Sequence, residues 1–176
     1  DVSSNTALTN LECNSNQLTS LDVSANTNLT DLFCKYNQLI SLDVSSNTAL
    51  TLLHCFTNQL TTLDVSNNTA LEVLKCHDNQ LTSLDLSSNT ALRWLTCEGN
   101  QLTYLNMKNG VTDQVAQFNA VNNSLTCIEV NAADVAYATA NWSNIDAGVS
   151  FSDACVVQGN PDYTYVPDNN FEQALI

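Results

Sequence analysis

Five cysteines, Cys13, Cys34, Cys55, Cys76 and Cys97, stand 21 residues apart, and the apolar residues around them recur in the same register. Leu8, Leu11, Cys13, Asn16, Leu18, Leu21 and Val23 return as Leu29, Leu32, Cys34, Asn37, Leu39, Leu42 and Val44, and the series starts again at Leu50, Leu71 and Leu92. So short a unit holds too few apolar side chains to enclose a core of its own, so each must bury its apolar face against its neighbours. Stacking in register turns every position of the repeat into a column through the molecule, with parallel strands roughly 4.8 Å apart. A sixth unit is disguised: Val115, Phe118, Ala120, Asn123, Leu125, Ile128 and Val130 keep the internal spacings after a two-residue insertion.

Ala120 stands in the slot that the other units give to cysteine, so a thiol is dispensable to the geometry. A free cysteine packs as a small hydrophobe, slimmer than leucine, which suits a narrow coil. Equivalent side chains of a parallel ladder point the same way, which suits disulfide torsions poorly, and an odd number cannot all pair. No C-x-x-C pair accompanies the column, so it is expected to be structural rather than metal-binding or redox-active. The asparagines at 16, 37, 58, 79, 100 and 123 form a second column, placed to hydrogen-bond backbone groups of their own coil and the next.

Written out, the repeat is L-x-x-L-x-C-x-x-N-x-L, which resembles the leucine-rich repeat. Its second half, as in "TSLDVSSNTA", alternates Leu and Val with Thr, Ser and Asp, which predicts a short second strand and then an S-x-N-T turn whose side chains bond their own backbone. The expected fold is a leucine-rich repeat solenoid with a parallel β-sheet on the concave face, few helices on the convex face and a small C-terminal helical cap. Asp1, Asp22, Asp43, Asp64 and Asp85 also align. A calcium row is one reading and carboxylates accepting turn amides is the other; a hard cation usually needs six or more oxygens around one point. No metal or cofactor is expected.

Charge narrows the partners. Four Lys and Arg against 18 Asp and Glu leave a net charge of −14, the opposite of what phosphate recognition requires, so neither nucleic acid nor an anionic membrane surface fits. No apolar run approaches membrane-spanning length, and no membrane insertion is expected.

Function is expected where the units disagree, because a scaffold can be monotonous and a binding surface cannot. The slot before the cysteine carries Glu12, Phe33, His54, Lys75, Thr96 and Asn119, and the slot after it Asn14, Lys35, Phe56, His77, Glu98 and Val121. Tyr36 follows Lys35, and Arg93 and Trp94 stand where other units have smaller residues. Phe33, Lys35, Tyr36, His54, Phe56, Lys75, His77, Arg93 and Trp94 thus form a candidate ligand-binding strip on the concave face. Drift at exposed positions is the plainer reading. His54 and His77 lack a compact third ligand for zinc.

After Val130 the period breaks. "NAADVAYATANW", residues 131–142, reads as a short helix with Asn131 as N-cap and Val135, Ala138 and Trp142 on one face, a lid over the open end of the stack. Cys127 and Cys155 lie outside the column and either pair across this lid or stay as separate buried thiols; pairing implies an oxidising compartment.

The 21-residue repeat with its cysteine ladder is similar to that of secreted bacterial leucine-rich repeat proteins of the internalin J type. The run "NNSLTCIEVNAADVAYATANWSNIDAGVSFSDAC" resembles the terminal cap of secreted leucine-rich repeat proteins of flavobacteria and their Bacteroidetes relatives. The resemblance implies a secreted or surface-attached protein that binds macromolecules, and supplies no catalytic residues. The expected organisation is an array over 1–130 lacking its N-terminal cap, a C-terminal cap over 131–157, and over 158–176 a linker and the start of a following module, marked by "VPDNNFEQAL" with Phe171 and Leu175. The alternative is a C-terminal helix docking on the lid. The chain is therefore expected to be part of a longer multidomain protein. The leading functional expectation is an extracellular adhesion module for a protein or glycan, with a non-catalytic structural spacer as alternative. An enzyme is not expected, since no nucleophile is arranged beside a base.

Overall fold

A computed structural model describes residues 1–155. The tail expected to open a second module, Phe171 and Leu175 included, lies outside the described residues. The chain winds into a stack of about seven coils. The first strand of each coil is three residues long: β1 (Asn10–Glu12), β2 (Asp31–Phe33), β3 (Leu52–His54) and β4 (Val73–Lys75). The series continues with β6 (Trp94–Thr96) and β8 (Gln117–Asn119), while β5 (Ser83–Asp85), β7 (Tyr104–Asn106), β9 (Cys127–Glu129) and β10 (Ser150–Ser152) lie on the opposite wall. Within each of β2, β3 and β4 the middle residue, always leucine, is fully buried and its neighbours are half-buried, which is the period-two alternation of a one-sided strand.

The register follows the repeat. Leu11, Leu32, Leu53, Leu74, Leu95 and Phe118 pair in succession through the parallel sheet β1-β2-β3-β4-β6-β8. At the last step Trp94 pairs with Gln117, and a 3-10 turn at Thr112–Gln114 takes up the inserted residues before β8. The expected second strand forms in the later coils, as a parallel sheet β5-β7-β9-β10, and the equivalent segments of the first coils carry no strand ladder. Among the described residues helical turns are few along the repeats, as expected.

Two asparagine columns lock the coils together. In the expected one, the Nδ2 of Asn79 donates to the carbonyls of Cys76 in its own coil and Cys55 in the one before, while its Oδ1 accepts the N–H of Leu60. The same three bonds recur at Asn37, Asn58, Asn100 and Asn123. The second column corrects the expectation of self-bonded S-x-N-T turns. Asn26, Asn47, Asn68 and Asn89 are wholly buried and donate to carbonyls of the preceding coil, as Asn47 does to Val23 O and Asn26 O. The amide thereby pairs carbonyls of the preceding coil that would otherwise be buried without a donor.

The thiols form the expected inward column: Cys34, Cys55, Cys76 and Cys97 are free and buried, and Cys13 is half-buried at the first coil. Burial pushes every one of them above the ordinary thiol range, with neighbouring thiols adding to the effect at Cys34, Cys55 and Cys76. In the aspartate row, Asp22, Asp43, Asp64 and Asp85 each accept the amide two residues on, at 2.9 Å. The Ser24 and Ser45 hydroxyls and amides hold Asp22 and Asp43 below the usual carboxylate range, and the Ser66 amide and then its hydroxyl do so for Asp64.

At the closing end, helix α1 (Val135–Asn141) follows a 3-10 turn at Ala132–Asp134. Asn131 does not cap it through its side chain; Asp134 instead accepts the Thr112 hydroxyl at 2.9 Å, tying the helix to the insertion. Ala138 and Trp142 are buried and Val135 packs beside them, with the Trp142 ring stacked on Phe118 at 4.0 Å. After the helix the chain resumes the solenoid path: Ala120 N–H donates to Asn144 O, and β10 pairs with β9. Cys127 and Cys155 form a disulfide across this last coil.

Candidate functional site

The first and third residues of each strand leave the core, so side chains from successive coils meet on the strand face. Phe33, His54 and Lys75 are direct neighbours in the ladder, as are Leu52, Val73, Trp94 and Gln117. Just past each strand the chain turns sharply, and Ser15, Tyr36, Thr57, Asp78, Gly99 and Asn122 all hold φ between 52° and 64°. That left-handed conformation costs a residue with a Cβ about 1–2 kcal/mol. Only Gly99 and, in part, Asp78 and Asn122 suit it; elsewhere the stack imposes it. This column of backbone geometry was not legible in the residues, because Tyr36 and Thr57 are among the least favoured there.

The geometry brings eight of the nine strip residues into one connected array and leaves Arg93 apart. Phe33 meets His54 edge-on at 5.0 Å, His54 lies 6.1 Å from Phe56, and Phe56 stacks on His77 at 4.1 Å. Tyr36 meets the edge of Phe56 at 5.2 Å, and Lys35 Nζ sits 5.5 Å from the centre of the same ring. Lys75 adjoins His54 in the ladder and extends the array to Trp94, with its Nζ 5.0 Å from the indole centre. Such ring and cation contacts are individually worth about 0.5–1.5 kcal/mol. Phe56 is the hub and only 9% exposed, so it supports the patch instead of presenting itself. Tyr36, at 50%, and Trp94, at 39%, are the accessible aromatic groups. Arg93 stands one residue before β6, exposed, bonding Leu92 O, and no ring contact joins it to the array.

Charge within the array is arranged to keep His54 neutral. Burial, then the positive charges of Lys75, Lys35 and His77, lowers its pKa to about 4, and its Nε2 is buried without a partner. His77 holds its Nδ1 3.0 Å from Asp78 Oδ2. His54 and His77 are separated by the Phe56 ring, and among the described residues no group of three or more His, Cys, Asp or Glu converges on one point. Among them too, no helix is long and apolar enough to cross a membrane. The arrangement offers stacking, cation–π and hydrogen-bonding contacts over a stretch of four coils, β2 to β6.

This architecture is that of a leucine-rich repeat solenoid. No protein-family model and no curated protein sequence matches the chain. Among solved structures it is similar to the leucine-rich repeat domain of APL1B, at 20% identity and a TM-score of 0.60, over 82% of this chain and 44% of that one. It is also similar to an internalin, InlF, of Listeria monocytogenes, at 23% identity and a TM-score of 0.56, over 86% of this chain and 52% of that one. The functional domain of InlJ from Listeria monocytogenes, described as including a cysteine ladder, aligns at 32% identity with a TM-score of 0.43, over 74% of this chain and 40% of that one. The chain thus spans about half or less of the length of each of these structures.

Proposed function

We propose that this solenoid is a non-catalytic binding module that works outside the cytoplasm and recognises a macromolecule, a protein or a glycan, through its strand face. The observation that carries the reading is the continuous array from Phe33 to Trp94. Three of the four Lys and Arg of a chain of net charge −14, namely Lys35, Lys75 and Arg93, fall on this strip, and Lys35 and Lys75 cover aromatic rings. Drift would have no reason to place rings where they interlock from one coil to the next. Tyr36 and Trp94 are the anchors, Lys35 and Lys75 give polarity, and Phe56 and His54 hold the others in place. The Cys127–Cys155 bond supports an oxidising, extracytoplasmic setting, consistent with a secreted or surface protein, and the strip suits an adhesive role there.

The test is capture of ligands from glycan arrays and surface-protein extracts by the chain and by a Tyr36→Ala, Trp94→Ala double variant. Loss of the captured ligand in the variant is expected. The competing reading is a rigid spacer within a longer protein, favoured by the two asparagine columns that stiffen the stack; identical capture by both proteins would establish it over the binding reading.

A further inference from the structure

The sixth coil departs from the repeat where the inserted residues form the 3-10 turn at Thr112–Gln114, and the departure opens a cleft of about 340 Å³ between that turn, the start of β8 and the end of α1. Tyr137 bridges its two walls, its hydroxyl donating to Asp113 O at 3.4 Å. The lining is rich in carboxamides: Gln114, Gln117, Asn141 and Asn144 all contribute, and Asp113 is the one charged residue among them. Asn141 and Asn144 each use an N–H on a carbonyl, Tyr137 O and Phe118 O, and their Oδ1 atoms make no hydrogen bond among the described residues. Trp142 lines the cleft while 5% exposed, and its indole N–H is buried without a hydrogen-bond partner among the described residues. Tyr137 is 38% exposed beside it.

Carboxamides both donate and accept, as sugar hydroxyls do, and an aromatic face matches the apolar C–H face of a pyranose ring. The near absence of charge excludes a phosphate or an acidic peptide, which would need a cation to meet it, and an apolar peptide anchor would leave the Gln114 and Gln117 amides without partners. We infer that this cleft between the last repeat and the cap is a binding site for a neutral oligosaccharide. It is separate from the Phe33–Trp94 array, although Gln117 follows Trp94 in the ladder, so a long glycan chain could leave the cleft along the strand face.

The test is a titration of isotope-labelled protein with four neutral oligosaccharides, the hexamers of the cello, laminari, chito and malto series, followed by the indole N–H of Trp142 and the side-chain amides of Gln114 and Gln117. At least one sugar is expected to shift these signals saturably. Gln114→Ala and Gln117→Ala, at accessible positions, should each weaken binding about tenfold, the 1.4 kcal/mol of roughly one hydrogen bond, while Ile40→Ala, at an exposed residue outside the cleft lining, leaves it unchanged. No shift with any of the four, or shifts that persist undiminished in both glutamine variants, would overturn the inference. So would a response to an apolar peptide alone. The glutamine variants lie outside the Phe33–Trp94 array, so this inference fails separately from the strand-face reading, which stands or falls by its own capture experiment.

Discussion

Replacing Asn79 by alanine removes one rung of the ladder that joins the third and fourth coils. The lost bonds are Nδ2 to Cys55 O and to Cys76 O, both 3.1 Å, and Oδ1 from Leu60 N–H at 3.0 Å. The two carbonyls keep a second amide partner each, from Asn58 and Asn100, so each loss there costs about 0.5–1 kcal/mol. Leu60 is fully buried, and its N–H would be left with nothing, at about 1–3 kcal/mol. The sum is about 2–5 kcal/mol. Asn16, at the first coil, is exposed and bonds only Cys13 O and Asn14 O, so Asn16→Ala should cost about 1 kcal/mol or less. Urea unfolding followed by circular dichroism measures both. Asn79→Asp adds a check, because a carboxylate there faces two carbonyl oxygens: it should be least stable at neutral pH and recover in mild acid, where protonation restores a donor. If Asn79→Ala costs no more than Asn16→Ala, the ladder does not hold the coils together and the reasoning fails.

Three further outcomes follow from the same geometry. In the native protein an aromatic disulfide reagent should label Cys13 first and leave Cys34, Cys55, Cys76 and Cys97 almost untouched, with all five reacting in denaturant, because the inner thiols are buried and resist ionisation. Converting Cys127 and Cys155 to serine opens a loop spanning 28 residues and should lower stability by about 3–4 kcal/mol on the chain-entropy scale, read as a lower urea midpoint. His54 has its folded pKa lowered to about 4 from the ordinary imidazole value of 6.5, so the unfolded chain binds more protons between those values. Stability should therefore fall as pH drops through that window, and the His54→Gln variant should lose that part of the pH dependence; an unchanged profile would contradict the assignment.

The cores of the coils were legible in the sequence because period and burial coincide: a leucine every third and then second residue can only point inward if units stack, and one alanine in the cysteine slot exposed the sixth coil. The asparagine clamp followed from the same columns, whereas Cys127 and Cys155, outside them, left pairing and separate thiols both open until the structure showed the bond. Asn26, Asn47, Asn68 and Asn89 misled, because a turn motif predicts local bonds and only the stack reveals that the amides reach the coil before. Asn131 misled in part: it stands at the start of the 3-10 turn but makes no side-chain cap, its Oδ1 buried without a partner among the described residues. In the strip, composition placed the residues on one face, but the sequence could not show that Phe56 is their buried hub or that Arg93 stands apart, as these depend on side-chain directions between coils. The cleft beside Trp142 had a visible signal, the two-residue insertion, with no means of telling what it would enclose.

The central claim is that equal positions of the repeat become columns, buried within and particular along one face. A sulfur anomalous difference map from crystals of the chain measures this most directly. It should show the Sγ atoms of Cys13, Cys34, Cys55, Cys76 and Cys97 in one row, about 4.8 Å apart, inside the stack. Sulfur peaks scattered through the molecule, or facing solvent along the row, would contradict the columns and the surface built on them.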